Sequence, residues 1–393
     1  MKAAMTSAGR YYRPELDVVR FLAFLLVFLH HTLPHSDDPR VNHLLKDFAP
    51  ILYATSDACG FGLSLFFVLS AFLICELLLR ECEVSGTVRV KQFYIRRILR
   101  IWPLYYFGLL LGVVFALLPG GHRTAISGMG WFAVFMGAWY IATQHTLSSP
   151  AAVLWSVSVE EQFYLFVPWI VKYINRKWLY GFCLLVIMVS NALLFYLGRA
   201  RASGSGIWFN SFVQFECFAA GILCCLVLHE RMPRFTHWQR AALLTCSWSC
   251  WFFASYELHY GFVHASENPG SWPLIGGYAL GALGSVLLLI AFLGAEPKLL
   301  PGWAIYLGRI SFGLYVYHQF AINTVDRMRI DRLLFNAALN YPLRVFLNSG
   351  LTLGLPLGLT FLAAALSYRY LETPFLRMKK RHAVIESQPV SAL

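Results

Sequence analysis

The stretch "YYFGLLLGVVFALL", residues 105–118, carries no charged side chain, and "SVLLLIAFLGA" at 285–295 repeats the pattern. Apolar runs of about 20 residues match the thickness of a bilayer core. Of the 393 residues, 58% are hydrophobic and 13% are charged, whereas a soluble chain carries roughly 25% charged residues. The sequence therefore predicts an all-α, polytopic integral membrane protein.

The apolar segments predict about ten transmembrane helices. An extra piece, "WFAVFMGAWYIA" at 131–142, is too short to cross and is expected to be interfacial or re-entrant. We expect an N-terminal segment at 1–16, one transmembrane domain at 17–376 and a disordered tail at 377–393. The predicted spans are 17–34, 59–80, 101–119, 153–172, 179–198, 208–229, 240–258, 273–294, 303–321 and 343–367.

The net charge of +12 comes from short basic clusters between the apolar segments. With both termini in the cytoplasm, the cytoplasmic segments hold 23 Lys and Arg residues and the outer segments hold 9. This bias follows the positive-inside rule and not the pattern of a nucleic-acid groove. It predicts that both termini are cytoplasmic and that the protein is a multi-pass protein of the inner (plasma) membrane.

Nine cysteines are scattered along the chain without a CxxC pair or a zinc spacing. Cysteine is often buried as a small apolar residue, so we expect a packing role and no metal site. They are Cys59, Cys75, Cys82, Cys183, Cys217, Cys224, Cys225, Cys246 and Cys250.

The first predicted span, 17–34, contains Arg20 near its start and His30 and His31 near its end. Arg20 and His31 are about three helical turns apart, so they share one face at a separation of roughly 16 Å along the axis, whereas His30 points about 80° away. We expect His31 deep in the span, where an ionisable residue suggests a function. The alternatives are a snorkelling anchor for Arg20 and a packing or interfacial histidine for His31.

The segment "FYIRRILRIWPLYY", residues 93–106, places Arg97 and Arg100 on one helix face, in a helix that we expect Pro103 to interrupt. Guanidinium groups bind phosphate well, so an anionic cytoplasmic ligand is one interpretation. A positive-inside anchor is the other.

The segment "LWSVSVEEQFYLFVPW", residues 154–169, contains two adjacent carboxylates, Glu160 and Glu161, in an apolar span. Together with Tyr164, which is four residues from Glu160, they predict a polar site rather than a solvated interface. The sequence does not decide which glutamate is functional.

A third polar stripe lies in "YLGRISFGLYVYHQF", residues 306–320, where Ser311, Tyr315 and His318 follow helical spacing. Tyr and His also populate membrane interfaces, so the stripe has a second interpretation. The small residues Gly62 and Ser70 in the second span are expected to allow close helix packing.

An anion site at the cytoplasmic end and a histidine roughly 16 Å further along the same helix suit a long ligand whose reactive end is far from its phosphates. An acyl-coenzyme A has that shape. His31 would then act as general base on a hydroxyl group, because an imidazole ordinarily titrates close to the working pH.

Several motifs in order resemble the integral membrane acyltransferase-3 family. They are "RPELDVVRFLAFLLVFLHH" (13–31), "GLSLFFVLSAFLI" (62–74), "FYIRRILRIWP" (93–103), "WSVSVEEQFY" (155–164), "LGRISFGLYVYH" (307–318) and "LETPF" (371–375). The family's Arg-x10-His element falls on Arg20 and His31. Ala71 stands where the family's second motif usually has glycine, which puts local helix packing in doubt.

The resemblance implies that His31 is catalytic and that Arg20, Arg97 and Arg100 support acyl-donor binding. It also implies that Glu160 or Glu161 orients the base or the substrate. We include Tyr164, Ser311, Tyr315 and His318 among the candidate substrate-binding residues. Exchange of His31 is predicted to remove activity, and exchange of His30 is predicted to leave most of it.

By this resemblance the chain is an O-acyltransferase of the stand-alone type, without an SGNH domain. It would move an acyl group, by default acetyl, from cytoplasmic acyl-CoA to a glycan, a lipid-linked saccharide or a small hydroxylated acceptor. Acyl-CoA is expected as a co-substrate, and membrane lipids are expected to surround the protein. No permanently bound cofactor, no metal and no nucleic acid is expected. The alternative is a transporter or flippase of a lipid-linked saccharide, which also uses intramembrane Arg, Glu and His.

Overall fold

The computed structural model describes residues 11–35, 47–144, 147–229, 231, 233–259, 268–328, 341–382 and 385. Within these residues the chain is helical and contains no β-strand. This agrees with the predicted all-α class.

Sixteen α-helices are described in these ranges, with short 3-10 turns at Pro150–Leu154 and Pro297–Leu299 and a π-helical turn at Tyr368–Glu372. The helices are α1 Pro14–Thr32, α2 Ala49–Cys59, α3 Gly62–Ser85, α4 Val90–Leu117, α5 Ala125–Ala133, α6 Gly137–Gln144, α7 Trp155–Tyr173, α8 Arg176–Arg199, α9 Gly204–Trp208, α10 Ser211–Leu228, α11 His237–Tyr256, α12 Ser271–Phe292, α13 Gly302–Arg309, α14 Ser311–Arg327, α15 Tyr341–Ser367 and α16 Thr373–Lys380.

Helix α1 has a sequence suited to its two ends. Pro14 occupies the first turn, where a missing N–H costs nothing. Glu15 and Asp17 lie near the positive end of the helix dipole, and His30 and His31 lie near its negative end. The helix is unbroken between Arg20 and His31, so the predicted separation of roughly 16 Å along one axis is retained.

Six segments are long and apolar enough to cross a membrane. They coincide with six of the ten predicted spans, and the count of ten stays a prediction. The other four fall on helices α1, α7, α11 and the α13–α14 pair. The six segments are Ala49–Ser85, Val90–Leu117, Arg176–Arg199, Ser211–Leu228, Ser271–Phe292 and Gly350–Lys379.

Three local expectations are wrong. The predicted span 303–321 is two helices, because α13 ends at Arg309 and α14 begins at Ser311. Helix α4 continues through Pro103. The predicted tail from 377 is helical as far as Lys380, and residues 386–393 lie outside the described part of the chain.

The apolar segment 131–142 is divided between the end of α5 and the start of α6, which have 9 and 8 residues. Neither helix is long enough to cross a bilayer, which needs about 20 residues. Phe135, between them, has a positive φ of 58°, so the chain turns back sharply there.

Helix α3 packs against α1 on one side and α10 on another. A Cβ at Gly62 would lie 2.7 Å from the carbonyl oxygen of Ala23 in α1, so the backbones approach closely. A Cβ at Gly221 of α10 would lie 2.9 Å from the Cβ of Ala71. The alanine that replaces the family's glycine therefore packs against a glycine on the neighbouring helix.

A candidate active site between two cavities

The first cavity, which we name the arginine cavity, has a volume of about 130 Å³. It lies between the first halves of α1, α4 and α14, the first two thirds of α3, and α7. Seven of the predicted site residues line it: Arg20, Arg97, Arg100, Glu160, Tyr164, Ser311 and Tyr315. The fold thus brings together residues from four separate motifs.

A buried aspartate orients the arginine at the start of α1. Asp17 accepts a 2.6 Å hydrogen bond from Nη1 of Arg20 through one oxygen and a 3.0 Å bond from the Tyr12 hydroxyl through the other. Arg309 donates to the same hydroxyl at 2.9 Å. Burial raises the pKa of Tyr12, which keeps the phenol protonated as a donor to Asp17.

Glu160 belongs to a second network in the arginine cavity. It accepts a 2.9 Å hydrogen bond from the Tyr164 hydroxyl, and Ser70 donates to that hydroxyl at 2.6 Å. The guanidinium of Arg97 lies 5.5 Å from the Tyr164 ring centroid, a cation–π contact. Ser70, expected to be a packing residue, is therefore a polar member of this cavity.

Glu161 has a different environment from Glu160. Its Oε2 accepts a 3.3 Å hydrogen bond from the indole of Trp102, and its buried Oε1 has no hydrogen-bond partner among the described residues. Glu161 is absent from the lining of the arginine cavity. The structure thus separates two carboxylates that the sequence left equivalent.

The second cavity, which we name the His31 cavity, has a volume of about 670 Å³. His31 lies in the last turn of α1 with an exposed side chain, and its depth in the membrane stays a prediction. Its Nδ1 is 2.8 Å from the Val27 carbonyl. Because a carbonyl only accepts, Nδ1 carries the proton and Nε2 keeps a lone pair.

A layer of hydrogen-bonded side chains lies between the two cavities. Tyr315 and Ser156 line the arginine cavity, and Val153 lines the His31 cavity. The Tyr315 hydroxyl donates to the Val153 carbonyl at 2.8 Å and is 2.6 Å from the Ser156 hydroxyl. His318 is fully buried, with its ring centroid 5.1 Å from that of His31 and 5.5 Å from that of Tyr315. The rings of Tyr315, His318 and His31 therefore connect the two sides.

Two charged residues near the arginines were missed by the sequence reasoning. Lys379 of α16 interacts electrostatically with Arg100, Arg97 and other arginines of this region. Glu372, in the π-helical turn, interacts electrostatically with Arg100, and its buried Oε1 has no hydrogen-bond partner among the described residues. Lys379 lay in the predicted tail, whereas the "LETPF" motif marked Glu372 without indicating its contact.

The model of the acyltransferase-3 family, described as an acyltransferase domain, matches residues 13–365. One relative is a protein of Staphylococcus aureus (strain MSSA476) that is named, provisionally, as an O-acetyltransferase. It is 25% identical to this chain over 392 residues, which cover 93% of this chain and 57% of the relative. The O-acetyltransferase OatA of Staphylococcus aureus (strain NCTC 8325 / PS 47) is 21% identical over 397 residues, which cover 92% and 57%.

The peptidoglycan O-acetyltransferase OatA of Listeria monocytogenes is 29% identical over 173 residues, covering 42% of this chain and 25% of its own. The chain spans 57% of the length of the Staphylococcus relatives that it matches. No solved structure matches it at a significant level. Because the family model covers residues 13–365 of 393, this chain belongs to the acyltransferase-3 family.

Proposed function

We propose that the protein is a multi-pass O-acyltransferase of the plasma membrane, which moves an acyl group, by default acetyl, from acyl-CoA to a hydroxyl group of a glycan. The observation that carries this proposal is the pair of cavities on either side of the Tyr315–His318 layer. The similarity to proteins named as O-acetyltransferases supports the reaction class.

The arginine cavity is the proposed donor site. Arg20, Arg97 and Arg100 line it. Such a cluster suits the phosphates of coenzyme A, because charge-assisted bonds from guanidinium to phosphate are strong and can be bidentate. The positive-inside bias predicts that this end of the bundle faces the cytoplasm, where acyl-CoA is available.

The thioester would reach the layer of Tyr315 and His318, with His31 on its far side. Nε2 of His31 takes the proton of the acceptor hydroxyl as its oxygen attacks the thioester carbonyl. The new C–O ester bond forms and the C–S bond breaks. The coenzyme A thiolate leaves and takes up the proton that His31 accepted, which returns His31 to its neutral form. The products are the acyl ester and free coenzyme A.

The His31 cavity is the proposed acceptor site. Trp155 and Phe209 in its lining present aromatic surface for sugar rings, and Gln319 and Asn323 present amide groups for hydroxyls. Its volume of about 670 Å³ exceeds that of the arginine cavity, in keeping with a bulky acceptor. The relative from Listeria is named for peptidoglycan, which makes cell-wall glycan the first acceptor to test.

The test uses purified protein in nanodiscs with radiolabelled acetyl-CoA and a panel of glycans. Wild type should bind the donor and transfer label, and His31→Ala should bind it and fail to transfer, because the base is lost but the arginines remain. His237→Ala, an exposed histidine at the start of α11, is the matched control and should behave as wild type. A wild type that binds no acyl-CoA would refute the proposal.

A further inference from the structure

Two histidines and an aspartate lie together near the end of α1. His30 is in the last turn of α1, His35 follows three residues after its end, and Asp57 is in α2. One ligand atom of each residue lies within 4.8 Å of those of the other two, and all three residues are half-buried. This cluster could not be predicted from the sequence, because its members are separated by 4 and 21 residues and form no metal-binding motif.

The backbone determines which ring nitrogens carry protons in this cluster. Nδ1 of His30 lies 2.9 Å from the Ser56 carbonyl oxygen, and Nε2 of His35 lies 2.8 Å from the His30 carbonyl oxygen. A carbonyl only accepts, so these two nitrogens are the donors. In neutral rings, Nε2 of His30 and Nδ1 of His35 then keep their lone pairs. Metal-binding histidines characteristically donate their second ring N–H to such an acceptor.

The distance between His35 and Asp57 also fits a shared cation. Nδ1 of His35 lies 3.4 Å from Oδ1 of Asp57, which is longer than an ordinary N–H···O hydrogen bond of about 2.7–3.2 Å. Two ligand atoms on one tetrahedral Zn²⁺ ion, each about 2.0–2.1 Å from it, are about 3.3–3.4 Å apart. The larger separations in the cluster would shorten by side-chain rotation around the ion.

We propose that His30, His35 and Asp57 bind one divalent transition-metal ion, with Zn²⁺ as the preferred ion. Two imidazoles and a carboxylate are a usual zinc ligand set, and three protein ligands leave a fourth position for water or substrate. The ion would hold the residues after α1 against α2, beside His31, whose ring centroid is 5.3 Å from that of His30. His30, whose exchange is predicted to leave most of the activity, would thus have a role as a metal ligand.

The experiment measures binding of Zn²⁺, and of Co²⁺ as a spectroscopic probe, to the full chain in detergent after removal of any histidine tag. Wild type should bind one equivalent, give the visible absorption of tetrahedral Co²⁺, and gain thermal stability with Zn²⁺. His35→Gln and Asp57→Asn should each weaken binding at least about tenfold and abolish the Zn²⁺-dependent rise in Tm. His122→Gln, an exposed histidine of the His31 cavity, should keep all three properties.

The proposal is overturned if wild type binds no stoichiometric ion, or if His35→Gln binds as wild type does. In either case the His35–Asp57 contact is an ion pair of a protonated ring. His35 lies outside the helices, so its exchange should leave the metal-free Tm nearly unchanged. This keeps the test valid even if Asp57→Asn fails to fold.

Discussion

At the scale of single residues, Glu160 and Glu161 are chemically identical neighbours with different surroundings. We expect Glu160→Gln to lower acyl transfer about 10- to 100-fold, the range expected for loss of a hydrogen bond to a charged group. Glu161→Gln should stay within a few-fold of wild type, because Glu161 contacts Trp102 away from the cavity lining. Initial rates at saturating acetyl-CoA compare the two variants, and the opposite ranking would contradict the assignment.

Several residues act through others rather than on the substrate. Asp17 is 1% exposed and holds Arg20, while Tyr12 joins it to Arg309. Their positions explain why a fixed charge can occur in an apolar first span. The buried carboxylate supplies the partner that an arginine needs away from water.

At the scale of helices, the contact between α13 and α1 depends on a glycine. A Cβ at Gly308 would overlap the backbone carbonyl of Asp17, so Gly308→Ala should push α13 away from α1 and lower the free energy of unfolding by about 2 kcal/mol or more. Gly302→Ala, in the same helix with open space around it, is the control. Thermal unfolding measures both, and equal Tm values would refute the close packing.

A second element-scale feature joins the end of α10 to α3. Nδ1 of His229 is 2.8 Å from Glu76 and its Nε2 is 2.6 Å from Glu83. Burial lowers the pKa of His229, but hydrogen bonds to the two carboxylates outweigh it, and the pKa lies above its ordinary value. Protonated His229 therefore stabilises the fold. The contribution is complete below about pH 6.5 and is lost as pH rises through the folded-state pKa.

We therefore expect the Tm of wild type to fall between mildly acidic and mildly alkaline pH by more than the Tm of His229→Gln. Removal of the ring removes the raised pKa and so the linkage to protons. His237→Gln, at an exposed position, should follow the wild-type curve. Parallel Tm curves for wild type and His229→Gln would contradict the prediction.

At the scale of the whole molecule, segments that are predicted to be cytoplasmic contribute to the lining of the arginine cavity, and segments that are predicted to be outside contribute to the lining of the His31 cavity. Tyr12 and Arg13, from the predicted cytoplasmic N-terminus, line the arginine cavity. His122, Ser149 and Arg327, from or beside predicted outer segments, line the His31 cavity. The fold thus groups the segments as the charge bias predicts, while the orientation of the bundle in the membrane stays a prediction.

Fusion proteins test that orientation. Alkaline phosphatase, which is active only outside the cytoplasm, should be active when fused after residue 122 and inactive when fused after residue 87. Green fluorescent protein, which fluoresces inside, should give the reverse pattern at the same two sites. The expectation follows from the excess of Lys and Arg in the predicted cytoplasmic segments. The opposite pattern would place the arginine cavity outside and remove the access of cytoplasmic acyl-CoA.

Much of the fold could be predicted from the sequence, because apolar runs and charge clusters are local signals. The helical class, six of the spans and the shared face of Arg20 and His31 required only composition and helical periodicity. The break at Ile310 between α13 and α14 could not be predicted in this way. The run 303–321 is apolar on both sides of it, and close packing of Gly308 on α1 depends on a distant segment.

The sequence by itself determined that this is a helical membrane protein with arginine and histidine aligned on its first helix, since each of those properties depends on neighbouring residues. Only the tertiary structure decided that Glu160 lines the arginine cavity and Glu161 does not, that Tyr315 and His318 lie between two cavities, and that His35 lies beside Asp57. Each of these depends on contacts between segments that are far apart in the chain. Such contacts do not follow the local helical repeat, so they cannot be recognised in a single sequence.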